Sequence, residues 1–171
     1  MGARDRFWLI LTEVVYYRII VDEKLAANRQ KMMWCNIIFA IIGTGALGAF
    51  LVYHHNVALL FCLASQCYQA SQPFLPWFKD AAALQRTAAR YDRLGDQMES
   101  YWARIDGMSD DDIMAKAEQF EARCTKLISG LHREGIGFSK RMGGNASDKR
   151  NVYMKRFDKD TAFAAGDKPE A

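Results

Sequence analysis

Along most of this chain apolar residues recur at the three- and four-residue steps of amphipathic helices, but one long stretch abandons that pattern. Ahead of it, Phe7, Leu11, Val14, Val15 and Ile19 form a stripe within residues 4–31, while Arg6, Glu13, Asp22 and Glu23 lie mostly on other faces. The spacing predicts a helix that runs into the stretch and either lies on a membrane surface or packs on a bundle. Trp8, Tyr16 and Tyr17 would suit the headgroup level. From Met32 to Phe78 there is no Asp, Glu, Lys or Arg. Elements of a soluble core must show one face to water, so they rarely stay uncharged for so long. The stretch divides at Tyr53-His54-His55-Asn56 into halves of roughly 22 residues, about 33 Å each as helix, against a hydrocarbon core of ~30 Å. Two membrane-spanning helices joined by a tight turn are the expectation. A helical hairpin buried in a soluble bundle is the alternative.

Beyond Pro73 and Pro76 the helical period returns. Leu84, Ala88, Tyr91, Gly95, Met98, Trp102 and Ile105 alternate four- and three-residue steps over residues 79–105, the spacing of a coiled-coil seam. Gly107 ends that helix, and Ser109 caps a third one that carries Asp110, Asp111 and Asp112 in its first turn. There the carboxylates meet the positive helix end, and Ser109 with Asp112 resembles a capping box. Ile113, Ala117, Phe120, Cys124, Leu127 and Leu131 continue the seam, so the two helices are expected to fold back as an antiparallel hairpin. From Gly135 onward aliphatic residues thin out among Gly, Ser, Asn, Lys and Arg, which predicts a flexible tail. The fold class is thus an all-α membrane protein: an N-terminal helix (1–31), a transmembrane hairpin (32–78), a cytoplasmic helical hairpin (79–134) and a flexible basic tail (135–171).

Charge fixes the expected topology. Arg29 and Lys31 precede the first span, Lys79, Arg86, Arg90 and Arg93 follow the second, and the turn between them holds only two histidines, which places both termini in the cytoplasm. Residues 1–31 are too long and too charged for a signal peptide. Cys35, Cys62, Cys67 and Cys124 form no Cys-x-x-Cys pair, so neither a disulfide framework nor a metal site is expected.

Within the first span, Gly43-x-Gly45-x-x-Gly48 spells a dinucleotide-binding fingerprint. That motif requires an amphipathic helix and then an acidic residue about 20 positions on. The first acid after Gly48 is Asp80, and everything between is uncharged. Small residues serve a membrane helix directly: Ala40, Thr44 and Gly48 make one row and Gly45 and Ala49 another, with Gly43 beside them, and such rows let helices approach closely. The second span carries Cys62, Ser65, Gln66, Gln69 and Gln72 on one face. An unpaired amide in hydrocarbon costs several kcal/mol, so this face either bonds to neighbouring helices or lines an aqueous path enclosed by several copies of the chain. The second outcome requires a homo-oligomer, because two helices enclose nothing.

The basic tail also admits two readings. Arg133, Lys140, Arg141, Lys149, Arg150, Lys155, Arg156 and Lys159 outnumber the acids among them, with Phe138, Tyr153 and Phe157 interleaved. Such a segment can rest on anionic headgroups. It can also hold a nucleotide or single-stranded oligonucleotide, with Arg133, Lys140, Arg141, Lys149, Arg150, Lys155 and Arg156 on phosphates and Tyr153 or Phe157 stacked on a base. No set of residues assembles a catalytic site: His54 and His55 have no acid or nucleophile nearby, and His132 sits at a helix end. Neither an enzyme nor a cofactor is expected.

In its order of parts, residues 4–105 resemble the SLATT family of bacterial two-transmembrane proteins. The carriers are "YYRIIVDEKLAANRQKMMW" before the first span and "FKDAAALQRTAARYDRLGDQMESYW" after the second. The resemblance implies an effector of prokaryotic conflict systems in the bacterial inner membrane. Such an effector perforates or depolarises the membrane when a nucleotide signal, made by a partner nucleotidyltransferase, changes. A holin-like lytic pore and a non-conducting membrane scaffold subunit are the competing expectations.

Overall fold

In the computed structural model, residues 2–43 and 55–166 are described, and these are all-helical, with no strand among them. Helix α1 (Ala3–Gly43) is followed by α2 (His55–Ser71), α3 (Pro76–Trp102), α4 (Asp110–Arg133) and α5 (Lys140–Gly166), with short 3-10 turns at Gln72–Phe74 and Ile105–Gly107. The contacts divide into two units: residues 1–24 with 86–171, and residues 25–85.

The first unit is a four-helix bundle. Phe7 of α1 stacks on Trp102 and meets Phe120 edge-on, at centroid distances of 6.2 and 5.9 Å, while Tyr17 stacks on Tyr91 at 6.2 Å. These pairs run α1 antiparallel to α3. Tyr101 packs on Phe120 and Tyr91 reaches Cys124, so α3 and α4 form the antiparallel hairpin that the seam predicts. Tyr91, Met98, Ile113, Ala117 and Phe120 are all buried, and the α1 stripe is buried from Phe7 to Val15, with Ile20 rather than Ile19 closed off further on. Of the two fates open to the N-terminal helix, residues up to 24 pack on the bundle.

Local chemistry sets the ends of α4. The Ser109 hydroxyl accepts from the Asp112 amide at 3.2 Å and donates to the Asp112 carboxylate at 2.7 Å, a cap tightened by its own acid. At the other end Gly135 adopts φ +73°, the Gly135 amide donates to His132 and the Ile136 amide to Leu131. That pattern is a Schellman motif, and its apolar partners, Leu131 and Ile136, are both buried.

The last helix is where the tail departs from expectation. Residues 140–166 form α5 instead of a flexible tail, and Ala146 and Met154 are buried against the bundle. Lys149 pairs with Glu23 at 2.7 Å, the Tyr153 hydroxyl donates to Glu99 at 2.6 Å, and Phe157 reaches Trp8 at 6.3 Å. Ala146, Arg150, Tyr153, Met154 and Phe157 share one helical face. A low aliphatic content conceals that face, because Ala, Met and aromatic residues make it up.

In the second unit, α1 and α2 pair antiparallel through residues 36–39 and 68–72. The Phe39 and Tyr68 rings stack at 3.7 Å. Among the described residues no helix is long and apolar enough to cross a membrane. The charge-free stretch enters as residues 32–43 of α1, about 18 Å, and as the 17 residues of α2, about 26 Å. Residues 44–54 of the expected hairpin lie outside the described residues. The expected second span runs to Phe78, but its helix ends at Ser71. Pro73 forces a 3-10 turn, Leu75 is extended before Pro76 (ψ 131°), and Pro76 opens α3.

Candidate functional site

The polar face of α2 is described in part. Cys62, Gln66 and Gln69 are exposed, and Ser65 and Gln72 are half-buried. Gln72 donates to the Asn36 side chain at 3.5 Å, and the Tyr68 hydroxyl donates to the same oxygen at 3.2 Å, so Asn36 links the two helices. Asn36 carried no expectation. Its signal lay in being the one amide of the first span's N-terminal half, facing a helix rich in donors. Of the proposed packing row, Ala40 is exposed and Gly43 ends α1, while Thr44, Gly45, Gly48 and Ala49 lie outside the described residues, as does His54.

The large side chains around this face remain uncovered. Met33, Trp34, Ile37, Ile38, Ile41, Leu59, Leu60, Leu63 and Phe74 are exposed, and only two other large hydrophobic residues, Leu9 and Val152, share that state among the described residues. Exposed apolar surface is thus confined almost wholly to the charge-free stretch.

The basic residues expected to hold phosphate are not gathered into one site. Lys149 is engaged with Glu23, and Tyr153 with Glu99. Arg150 bonds Ser147 and Asn151 and lies 5.9 Å from the Tyr16 ring centre. Burial, and then the hydrogen bond to Glu99, push the Tyr153 phenol up to about 12. Lys140, Arg141 and Lys155 are exposed on α5, and nothing is described of the Arg156 side chain. Arg133 alone joins a concentrated cationic site, in a cleft of about 630 Å³ between α3 and α4 that also takes in Arg90, Arg93, Arg123 and Lys126.

That cleft is built by register. Arg90, Arg93 and Gln97 follow one face of α3 at steps of three and four, and Arg123, Lys126 and Arg133 follow the facing side of α4. Leu94 and Leu127 line it between the charges. One guanidinium is held: Arg123 donates to Gln97 at 3.2 Å and lies 5.9 Å from the Phe120 ring centre. Glu134 is the single acid in the lining. Sequence reading assigned Arg90 and Arg93 to membrane topology and passed over Arg123 and Lys126. Their common face follows from the same heptad register that placed the seam.

Beside the cleft, Cys124 faces Tyr91 inside the bundle with Sγ and Oη 4.0 Å apart. Burial raises the Cys124 thiol to about 11, which disfavours its nucleophilic thiolate form. Among the described residues no three His, Cys, Asp or Glu side chains are grouped to hold a metal ion. No family model, curated protein or solved structure matches the chain.

Proposed function

We propose that the chain is a membrane effector of a prokaryotic defence system: residues 32–78 enter the bacterial inner membrane, copies associate into an ion-conducting pore, and the helical bundle controls that pore in response to a nucleotide or oligonucleotide made by a partner nucleotidyltransferase. The observation that carries the reading is the apolar surface left open on α1 and α2. Leu59 and Leu60 are 65% and 67% exposed and Phe74 82%, in a stretch without one charge, while among its described large apolar residues the bundle leaves only Leu9 and Val152 exposed. A contiguous uncovered apolar surface marks a protein or lipid contact. The resemblance to the SLATT family, the flanking cations and the exposed Gln66 and Gln69 agree with a polar path between copies.

The test is ion flux from liposomes holding the purified protein, with and without nucleotides. Flux that responds to a nucleotide and is lost in Gln66→Leu with Gln69→Leu is the expected result. No flux from assembled oligomers would remove the pore. One observation favours a second reading, a non-conducting scaffold: Gln72 and Tyr68 already bond to Asn36 within the chain, so part of the polar face serves as packing glue. In that case the protein stays in the membrane fraction and passes no ions. Flux that ignores every nucleotide would indicate a holin-like pore.

A further inference from the structure

We propose that the cleft between α3 and α4 binds a soluble ligand carrying several consecutive phosphates, a nucleoside polyphosphate or a short single-stranded oligonucleotide. The site stands on the bundle alone; only its link to a pore rests on the membrane reading above.

Three observations carry it. Four cations elsewhere in the bundle are neutralised: Arg4 by Asp106, Arg6 by Glu118 and Glu121, Arg18 by Asp92, and Lys149 by Glu23, at 2.7 to 3.6 Å. Arg90, Arg93, Lys126 and Arg133 form no ion pair among the described residues, although they converge with Arg123 on one concavity. Like charges three apart on a helix repel, so this grouping weakens the fold until an anion enters.

The shape comes second. At about 630 Å³ the cleft has the size of a small-molecule site, and its apolar lining would accept a base or sugar. From Arg123 to Arg133 the strip runs about 15 Å along α4 at ~1.5 Å per residue. That length exceeds what a single carboxylate or inorganic phosphate would fill and suits several phosphates in a row. Arginine predominates, and its planar fork meets phosphate oxygens in pairs.

Third, Gly130 lines the cleft inside α4, where glycine weakens a helix relative to alanine. No packing neighbour demands it, since a Cβ at this position would meet nothing within 4 Å. The space it leaves is open to a ligand.

The experiment is calorimetric titration of the full-length chain in neutral-lipid nanodiscs with tripolyphosphate, a four-nucleotide single-stranded DNA, citrate and anionic lipid vesicles. Tripolyphosphate and the tetranucleotide are expected to bind and citrate is not, with log K for the tetranucleotide falling against log salt at a slope of about −2, from ~0.7 for each phosphate between its nucleotides. Arg93→Gln and Arg133→Gln should each weaken binding at least about tenfold. Gly130→Phe, which projects a ring into the cleft and keeps every charge, should weaken it with helix content and melting temperature retained; if that variant unfolds, the two arginine variants decide. The combined change of Lys140, Arg141 and Lys155 to Gln should bind like the parent. The proposal is overturned if neither phosphate ligand binds, if the cleft variants bind unchanged, if only the α5 variant loses binding, or if binding is confined to anionic vesicles. Ion flux is not read, so loss of the pore leaves this site standing and loss of the site leaves the pore standing.

Discussion

Replacing Ala146 by Asp should release α5 from the bundle without unfolding the rest. Ala146 is completely buried, Met154 is 7% exposed, and between them the Tyr153 hydroxyl donates to Glu99 and Lys149 pairs with Glu23. Burying a methionine contributes ~1.5–3 kcal/mol. A hydroxyl bonded to a carboxylate contributes ~1.5–3 kcal/mol, and an exposed ion pair such as Lys149–Glu23 about 0–1 kcal/mol. These named contacts amount to ~3–7 kcal/mol before the entropy of ordering the helix is subtracted. An aspartate at position 146 overpacks a closed position, at ~1–3 kcal/mol. It also buries a carboxylate without a partner, at several kcal/mol more. The sum equals or exceeds the docking energy. Phe7, Val14, Tyr91, Met98 and Phe120, by contrast, are core residues of α1, α3 and α4.

Limited trypsin digestion reads the outcome directly, because Lys149, Arg150 and Lys155 lie on α5. In the parent protein cleavage there is expected to be slow, and in Ala146→Asp fast, with a stable core of residues before 140 surviving. Tyr153→Phe is the graded control. Losing ~1.5–3 kcal/mol should speed cleavage by at least about tenfold where proteolysis follows the open population. Unchanged cleavage in Ala146→Asp would refute the docking face, and loss of the whole helical signal would refute the separability of α5.

Alkaline pH should weaken the bundle through the same interior. The Cys124 thiol is raised from 9 to about 11 by burial, and the Tyr153 phenol from 10 to about 12 by burial and by Glu99. Both are acids whose neutral forms the fold favours, so their stabilisation is complete below pH 9 and 10 and is lost as pH climbs to 11 and 12. Urea midpoints that stay flat from pH 8 to 12 would contradict this. Native-state alkylation by iodoacetamide at pH 8 should label Cys124 only after unfolding, since its thiolate population is about a hundredth of that of an unshifted thiol and the residue is 3% exposed. Arg93→Glu should leave the melting temperature equal to or above that of the parent, by relieving repulsion worth ~0.2–0.5 kcal/mol per like pair, and should eliminate binding of tripolyphosphate. A lower melting temperature with binding intact would show that Arg93 serves the fold.

Periodicity made most of the bundle readable. The seam from Tyr91 to Met98, its continuation through Ile113, Ala117 and Phe120, the Ser109 cap and the antiparallel sense of α3 and α4 all follow from spacing, because each helix must bury one stripe. In the tail, composition points to flexibility and periodicity to a helix: Ala146, Met154 and Phe157 repeat as a helix face among glycines and lysines. The candidate site was legible only by halves. Arg90 and Arg93 sit on one element and Arg123, Lys126 and Arg133 on another, and a sequence gives the face of each helix but not which charged faces oppose each other. The opposite error occurred with Lys149, Arg150 and Tyr153, which composition groups with a phosphate site and the fold engages with Glu23, Ser147, Asn151 and Glu99.

The exposed apolar stretch and the unpaired cleft pose one physical question. Nine large hydrophobic residues stand open on α1 and α2 and beside them, and five cations face one concavity with a single acid, Glu134, in its lining. Both arrangements disfavour the isolated chain, the first through hydration of apolar surface at ~25 cal/mol per Å² and the second through mutual repulsion. The chain has the means to avoid the second, as the Arg6–Glu121 and Arg18–Asp92 pairs demonstrate. A local arrangement that lowers the stability of the isolated chain, where a single substitution would relieve it, is accounted for by a contact the isolated chain does not contain. Under the two proposals, an apolar medium would supply that contact for Leu59, Leu60 and Phe74, and a phosphate chain would supply it for Arg90, Arg93 and Arg133. The two requirements are chemically independent, which is why titration of the cleft and flux through the membrane test them separately.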